Sequence, residues 1–242
     1  MAQLIDGQKW LAAFKKTDWY VDILADFNQL EEIASQEKDY DKRKALKAQA
    51  YDLVDQALQT NQIALAKTGK DFDEDRRPID TIVIHHTASK PGMALSRLNA
   101  IHLLRLYARY YNNPRLEDEN LRGQAVWSGH FYEGKQIFWA YHWLVKENGT
   151  AEHILEDKYI GWHSGNWDIN TRSIAICIDA YLQDKEPSEQ VLKSMAEVIK
   201  TNYPNVKNII GHREVNPNTE CPGNLFLTSW KEKFQIILDL QG

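Results

Sequence analysis

Residues 81–89 read TIVIHHTAS and residues 172–178 read RSIAICI, and these two stretches decide the fold. The first predicts a buried strand over Thr81–Ile84, and the second predicts a nearly continuous apolar strand over Ser173–Ile178. Continuous apolar runs are typical of strands that lie in the interior of a sheet with both faces covered. Because helical patterns separate the strands, the sequence predicts an α/β domain built on a central, largely buried sheet flanked by helices.

The remaining elements of this domain follow from hydrophobic periodicity and from helix-start signals such as an early proline. The predicted additions are helices over Ser96–Tyr111, Pro187–Asn202 and Leu225–Leu238, and strands over Tyr141–Val145 and Asn208–Ile210.

A different pattern precedes this domain. Apolar residues recur at helical spacing from Lys9 to Ala66, which predicts two or three amphipathic helices. The segment Lys67–Asp75 is short, polar and acidic, as expected for a linker or an exposed turn. We therefore place a domain boundary there, with an acidic helical N-terminal segment over 1–75 and an α/β domain over 76–242. The first segment holds 10 basic and 15 acidic residues, whereas the second holds 19 of each.

Charge and composition exclude several classes of protein. The 242 residues carry a formal net charge of −5, which argues against nucleic acid as a partner because phosphate binding needs a basic surface. No segment approaches the ~20 apolar residues of a membrane span, and no signal peptide is visible. Oligomeric state cannot be inferred.

Two regions carry candidate metal ligands. His85 ends the first apolar strand, and the stretch GHREVNPNTECPG (211–223) places His212 after a strand and Cys221 in a proline-rich loop. Imidazole and thiolate together suit Zn²⁺, and three protein ligands with an open fourth position are typical of catalytic zinc. Each feature alone also fits a structural histidine or an inert thiol. A single disulfide between Cys177 and Cys221 remains possible as well.

Six ordered motifs give the chain a resemblance to the zinc-dependent N-acetylmuramoyl-L-alanine amidases, of the phage T7 lysozyme and peptidoglycan recognition protein type. The resemblance runs from about Pro78 to Trp230 and implies a central mixed β-sheet flanked by helices. The motifs are IVIHHTA (82–88), AYHWLV (140–145), NGT (148–150), GWHSGN (161–166), RSIAI (172–176) and GHREVNPNTECPG (211–223).

The resemblance implies a role for individual residues at the matching positions. Three are metal ligands for Zn²⁺, two act in catalysis beside the metal, and three border the substrate cleft. The implied ligands are His85, His212 and Cys221, the catalytic residues are Tyr141 and Thr219, and the substrate-binding residues are His163, Trp162 and Asn166. His86 then lies on the opposite face of its strand, because successive strand side chains alternate.

One position departs from part of the family. Some members carry a catalytic glutamate where this chain has Cys177, so a tyrosine-assisted mechanism fits better, and Cys177 also fits a buried strand residue without a chemical role.

The stretch Tyr110–Phe138 looks longer than relatives need, and we hypothesise that it walls one side of the substrate cleft.

The resemblance implies zinc-dependent hydrolysis of the amide between N-acetylmuramic acid and L-alanine in peptidoglycan or muropeptides. The main alternative is a module that binds muropeptides without cutting them, and a third possibility is an interaction domain with a purely structural metal. All three predicted ligands are present, which favours the enzyme over the binding module. Since no signal peptide is visible, the resemblance implies a cytoplasmic protein, or a phage-encoded protein that is released to the cell wall by other means.

Overall fold

The structure is a computed structural model that describes residues 4–113 and 121–240. Its helices are α1 (Gly7–Ala13), α2 (Trp19–Gln36), α3 (Tyr40–Gln59), α4 (Leu95–His102), α5 (Arg109–Tyr111), α6 (Trp167–Arg172), α7 (Glu189–Asn202), α8 (His212–Val215) and α9 (Lys231–Leu240). Its strands are β1 (Thr81–His86), β2 (Phe131–Tyr132), β3 (Lys135–Gln136), β4 (Trp143–Val145), β5 (Ala151–His153), β6 (Ser173–Ile178) and β7 (Asn208–Gly211). Two π-helical segments, Leu103–Ala108 and Phe226–Trp230, precede α5 and α9, and a 3₁₀ turn covers Asp73–Asp75.

The described residues fall into two compact units. One comprises the described parts of Met1–Asp71 and Ala94–Phe138, and the other comprises Phe72–Met93 and Trp139–Gly242 as far as residue 240. We call them the helical unit and the sheet unit. The division into domains at residues 75/76 follows chain order and stays a prediction, whereas these units interleave along the chain.

The helical unit contains α1 to α5 and the short hairpin of β2 and β3. Asp6 and Asp39 cap α1 and α3 by accepting hydrogen bonds from backbone N–H groups of the first turn. Edge-to-face contacts link the buried rings of Trp10, Phe14 and Trp19. The helices therefore have an aromatic core of their own.

Residues 114–120 of the stretch that we expect to wall the cleft lie outside the described residues, and that hypothesis stays a prediction.

The sheet unit is built on five strands in the order β5-β4-β6-β1-β7. Strand β5 is antiparallel to β4, and the other neighbouring pairs are parallel. All residues of β1 and β6 are buried, as their continuous apolar runs predicted. The apolar side of α7 packs with these strands and with Phe226, Trp230 and Phe234 in one core. The predicted α/β class, with a mixed sheet flanked by helices and further helices at the N-terminus, is confirmed.

Several boundaries differ from the sequence predictions. Strand β1 continues through His86, because hydrogen bonding to β6 extends that far. The helix predicted over Ser96–Tyr111 contains the π-helical segment, and the strand predicted from Tyr141 begins at Trp143. The hairpin and β5 were not predicted, since strands of two or three residues are too short to show a period.

Two further expectations can be compared with the fold. Within residues 4–113 and 121–240, no helix has both the length and the apolar composition needed to cross a membrane. Cys177 and Cys221 are both free thiols, so the disulfide that the sequence left open is not formed.

Candidate metal centre

The pairing of β1 with β7 brings two predicted ligands together. Ile84 pairs with Gly211, so the next residue of each chain segment, His85 and His212, lie side by side with ring centroids 4.7 Å apart. Gly211 makes this close packing feasible, because a Cβ there would lie 2.5 Å from the Phe226 ring. The two imidazoles thus converge at the carboxyl end of parallel strands, where α/β folds place their binding sites.

The third predicted ligand returns to the same place from the loop after α8. The N–H of Arg213 donates to the carbonyl of Cys221 at 2.8 Å, which fixes the loop against α8. The Cys221 Sγ lies 3.7 Å from the Nδ1 of His85. One donor atom from each of His85, His212 and Cys221 falls within 4.8 Å of the others.

This donor set fits zinc on chemistry and on spacing. Tetrahedral zinc with bonds of about 2.1 Å to nitrogen and 2.3 Å to sulfur separates those donors by roughly 3.6 Å. The separation of 3.7 Å between the His85 nitrogen and the Cys221 sulfur matches that value. Three donors, two of nitrogen and one of sulfur, are typical of a site that leaves one position for water or substrate.

The Cys221 thiol is partly buried. Burial raises the pKa of the Cys221 thiol to about 12, while the N–H of His86, 3.4 Å from the sulfur, acts in the opposite direction. A metal that binds this sulfur therefore displaces a proton. The His86 ring takes no part, because its Nδ1 accepts a hydrogen bond from the N–H of Leu182 at 3.1 Å.

The ring nitrogens that point away from the centre are also engaged. The Nε2 of His85 lies 3.0 Å from the Nδ1 of His163, whose own Nε2 lies 3.0 Å from the Ser173 hydroxyl. The Nε2 of His212 donates to the carbonyl of Ser164 at 3.1 Å. Sequence reasoning missed Ser164 and Ser173, because a serine adjacent to a motif residue or at a strand start carries no distinctive signal.

The structure places the three predicted substrate-binding residues around the same segment, in different settings. His163 is buried, and burial lowers its pKa well below the ordinary value, with His142 and His212 adding to the effect. Trp162 is also buried, edge-on to Phe72 at 5.0 Å. Asn166 is exposed, and its side chain caps α6 by accepting from the N–H of Ile169.

The two predicted catalytic residues lie next to the ligands. The Tyr141 ring is half-buried and sits 5.0 Å from the His85 ring, centroid to centroid. The Thr219 hydroxyl oxygen accepts a hydrogen bond from the N–H of Cys221 at 3.2 Å. Tyr141 therefore lies beside His85, and Thr219 lies beside Cys221.

Two neighbours of the centre are structural by their contacts. Cys177 pairs with His85 across the sheet and is fully buried. Burial raises its pKa well above the ordinary value, with a side-chain hydrogen bond from Tyr141 acting in the opposite direction. His142 follows Tyr141 in sequence, but its Nδ1 accepts from the N–H of Ala175 and its Nε2 donates to the Tyr159 carbonyl.

Gly161 explains how the segment that carries His163 comes so close to the sheet. A Cβ at this position would lie 2.2 Å from the carbonyl oxygen of Ala140 and 3.0 Å from the His142 ring. Any larger residue would push the following Trp162 and His163 away from Ala140 and His142, just before β4.

Comparison with protein families gives one match. The N-acetylmuramoyl-L-alanine amidase family model matches residues 75–224, which is more than half of the chain. Comparison with curated proteins gives no significant match.

Solved structures with a similar chain trace include two endolysins and the AmpD protein. An endolysin N-acetylmuramoyl-L-alanine amidase, LysCS of Clostridium intestinale URNW, is 19% identical, with a TM-score of 0.49 over 73% of this chain and 93% of that chain. The Ph2119 endolysin of a Thermus scotoductus MAT2119 bacteriophage is 21% identical, with a TM-score of 0.44 over 67% and 86%. The AmpD protein is 17% identical, with a TM-score of 0.46 over 72% and 92%.

Proposed function

The chain belongs to the N-acetylmuramoyl-L-alanine amidase family, and from that membership we propose that it is a zinc-dependent amidase. Its substrate is peptidoglycan or a muropeptide, and the bond it hydrolyses is the amide between N-acetylmuramic acid and L-alanine. The observation that supports this proposal most strongly is the convergence of His85, His212 and Cys221 within 4.8 Å. Non-catalytic binding of muropeptides needs no such donor set.

His85, His212 and Cys221 hold the metal in this proposal. Zinc bound by two neutral imidazoles and one thiolate supplies a Lewis acid that polarises the substrate carbonyl and lowers the pKa of a water toward ~7. The protein contributes rigidity, because His85 is fixed by β1 and His212 by the start of α8. A fixed donor set avoids reorganisation during the reaction.

Tyr141 and Thr219 act on the reacting carbonyl in this proposal. The Tyr141 hydroxyl donates a hydrogen bond to the carbonyl oxygen as negative charge develops on it, which stabilises the transition state more than the substrate. The Thr219 hydroxyl oxygen accepts a hydrogen bond from the backbone N–H of Cys221, which places Thr219 beside this ligand. The proximity of the Tyr141 ring to His85, 5.0 Å between centroids, supports this assignment.

The assignment of Trp162, His163 and Asn166 to substrate binding is a further part of the proposal. Asn166 is the exposed member of the three, so it has the best access to a sugar or a stem peptide. Trp162 contributes through the aromatic group that it forms with Phe72 and Trp167, of which Trp167 is 38% exposed. Aromatic faces of this kind pack against sugar rings and peptide methylenes.

A digestion experiment tests the proposal. The protein is incubated with purified peptidoglycan, with and without a chelator, and the products are identified by mass spectrometry. We expect free stem peptides with a new L-alanine N-terminus, loss of this product on chelation, and its recovery when Zn²⁺ is added back.

Other outcomes separate the competing functions. Binding to peptidoglycan without any product would indicate a recognition module. Zinc that stays bound in an inactive protein would indicate a structural metal. Glycan fragments in place of stem peptides would contradict the amidase assignment itself.

A further inference from the structure

Two consecutive residues of the GWHSGN motif contact both histidines of the centre on their outer side. His163 Nδ1 lies 3.0 Å from the Nε2 of His85, and the carbonyl of Ser164 accepts from the Nε2 of His212 at 3.1 Å. His85 lies in β1 and His212 begins α8, so one short segment of chain fixes two predicted ligands that are 127 residues apart in sequence. The inference that follows rests on the zinc site of the proposed function.

The contact with Ser164 decides which nitrogen of His212 is available to a metal. A carbonyl oxygen only accepts hydrogen bonds, so the Nε2 of His212 carries the proton. In a neutral imidazole the lone pair is then on Nδ1. Nδ1 is therefore the nitrogen of His212 that binds the metal.

The contact with His163 has the same effect on His85. The Nδ1 of His85 faces the Cys221 sulfur at 3.7 Å. When this Nδ1 binds the metal, the Nε2 carries the proton and donates to the Nδ1 of His163 at 3.0 Å. His163 then has its own proton on Nε2, which donates to the Ser173 hydroxyl at 3.0 Å. Each ring in this chain of hydrogen bonds has one defined tautomer.

Both supports are themselves anchored in the buried interior of the sheet unit. Ser173 is fully buried at the start of β6. The side-chain oxygen of Asn170, in α6, accepts from the Ser164 N–H at 3.0 Å and from the Ser164 hydroxyl at 2.7 Å. The Ser164 carbonyl is therefore held by a side chain that is itself buried.

We propose that His163 and Ser164 are positioning residues that select Nδ1 as the metal-binding nitrogen of both His85 and His212. In this role His163 acts through His85, and a direct contact of His163 with substrate is not required. Partners of this kind raise the basicity of a ligand and fix its orientation, and their loss weakens metal affinity by ~10–100-fold.

The test measures zinc affinity of the metal-free full-length protein by competition with a chromophoric chelator. His163→Leu removes the acceptor for the His85 proton, whereas His163→Asn retains an oxygen near the position of Nδ1. Asn170→Ala and Asn170→Asp form a second pair, in which only the aspartate keeps the acceptor for Ser164. His153→Gln is the matched control, because His153 is a partly exposed histidine that pairs with Asp157 and stacks on Trp143.

We expect His163→Leu and Asn170→Ala to weaken zinc binding by ~10–100-fold. His163→Asn and Asn170→Asp should stay within ~3-fold of the wild-type protein, as should His153→Gln. Melting temperatures of the metal-free variants show which of them fold. If His163→Leu or Asn170→Ala does not fold, the zinc affinity of His163→Asn or Asn170→Asp still tests the proposal.

Each failure has a distinct signature. A wild-type protein that binds no zinc overturns the proposed function. Zinc affinity that is unchanged in a folded His163→Leu protein overturns the positioning role and leaves the proposed function intact. Equal losses in His163→Leu and His163→Asn also overturn it, because the retained acceptor then has no effect.

Discussion

Each of the two compact units holds a cluster of titratable side chains partly or wholly away from solvent, and the two clusters differ in how their charges are balanced. In the helical unit, the Glu31 carboxylate lies 3.5 Å from Lys47, 3.4 Å from Arg105 and 2.5 Å from Arg109, and it accepts a hydrogen bond from the Tyr51 hydroxyl. In the sheet unit, one donor atom from each of His85, His212 and Cys221 lies within 4.8 Å of the others, and none of the three side chains carries a fixed charge that balances another.

The difference in charge balance indicates that the Glu31 cluster stabilises the fold, whereas the donor set of the sheet unit is suited to bind a metal. Burial raises the pKa of Glu31, but Arg105, Lys47 and Arg109 together lower it below the ordinary value, so the carboxylate stays ionised as part of a closed cluster that joins α2, α3 and α5. In the sheet unit, the Nε2 atoms of His85 and His212 contact protein groups on the outer side of the centre. The second ring nitrogen of each imidazole is then left for a metal. A cluster of that kind is suited to bind a cation from outside the chain.

The largest expected effect comes from removing a donor. Cys221→Ser and His85→Ala should each lose stoichiometric zinc and reduce amidase turnover by at least about 1,000-fold, because no water is then activated. Circular dichroism should show a folded protein. Cys177→Ala is the matched control and should keep one zinc per chain, as measured by atomic emission. Full zinc occupancy in Cys221→Ser would show that the centre is placed elsewhere.

Tyr141→Phe should have a smaller effect of a different kind. Removing a hydrogen-bond donor to a developing oxyanion typically lowers kcat by about 100- to 1,000-fold. Zinc content and KM should change little, since the hydroxyl acts on the transition state. Steady-state kinetics on a muropeptide measures both constants. A rise in KM of similar size, with kcat unchanged, would instead assign Tyr141 to substrate binding.

In the helical unit, we expect a substitution to lower stability and to leave turnover unchanged. Glu31→Gln should lower the free energy of unfolding by about 1–3 kcal/mol, because half-buried cations lose their counter-charge. Urea denaturation measures this change, and Glu32→Gln, on the exposed side of the same helix, should stay within about 0.5 kcal/mol. Turnover per folded molecule should be unchanged in both. A large loss of turnover without a loss of stability would break the distinction between the two clusters.

The smallest effect per residue concerns two buried histidines that are not predicted metal ligands, His102 in the helical unit and His142 in the sheet unit. Burial lowers the pKa of His102 in the helical unit and of His142 in the sheet unit to about 3, with Arg105 and Arg76 respectively adding to the effect. An unfolded histidine titrates near 6.5. Below pH ~6.5 the unfolded chain therefore binds protons that the folded chain excludes, and stability falls as the pH falls.

Above that pH the two histidines make no difference to the pH dependence. Between pH 6 and 5, each should approach a slope of about 1.4 kcal/mol per pH unit in the free energy of unfolding. Urea titrations of the wild-type protein, His102→Gln and His142→Gln measure the slopes, and each variant should lose its own contribution. A slope that is the same in all three proteins contradicts the assignment.

Much of the fold could be predicted from the sequence because its central strands are unusually clear. β1 and β6 are continuous apolar runs, and such runs have few alternatives when helices separate them. The hairpin and β5 escaped prediction, since pairing partners define such short strands and local periodicity does not. The π-helical segments were equally invisible, because they keep nearly the same hydrophobic pattern as an α-helix.

For the candidate site, the prediction of its residues depends mostly on the order of the six motifs along the chain. The identities of the ligands, and of Tyr141 and Thr219, depend on residue types at matched positions, which a sequence displays directly. The contacts of His163 with His85 and of Ser164 with His212 could not be predicted, because they join segments separated by dozens of residues through single atoms. Trp162 was assigned to substrate, and the structure shows that most of its ring is packed against neighbours.

Residue types and their order along the chain are enough to predict the chemistry of this protein: two imidazoles and a thiol, in family order, on an α/β framework with an acidic helical N-terminal segment. Only the tertiary structure decided the geometry. The register that pairs Ile84 with Gly211 sets His212 beside His85, and a shift of one residue would turn one ring to the other face of the sheet. Register depends on packing and hydrogen bonding along the whole strand, and these are properties of the folded chain.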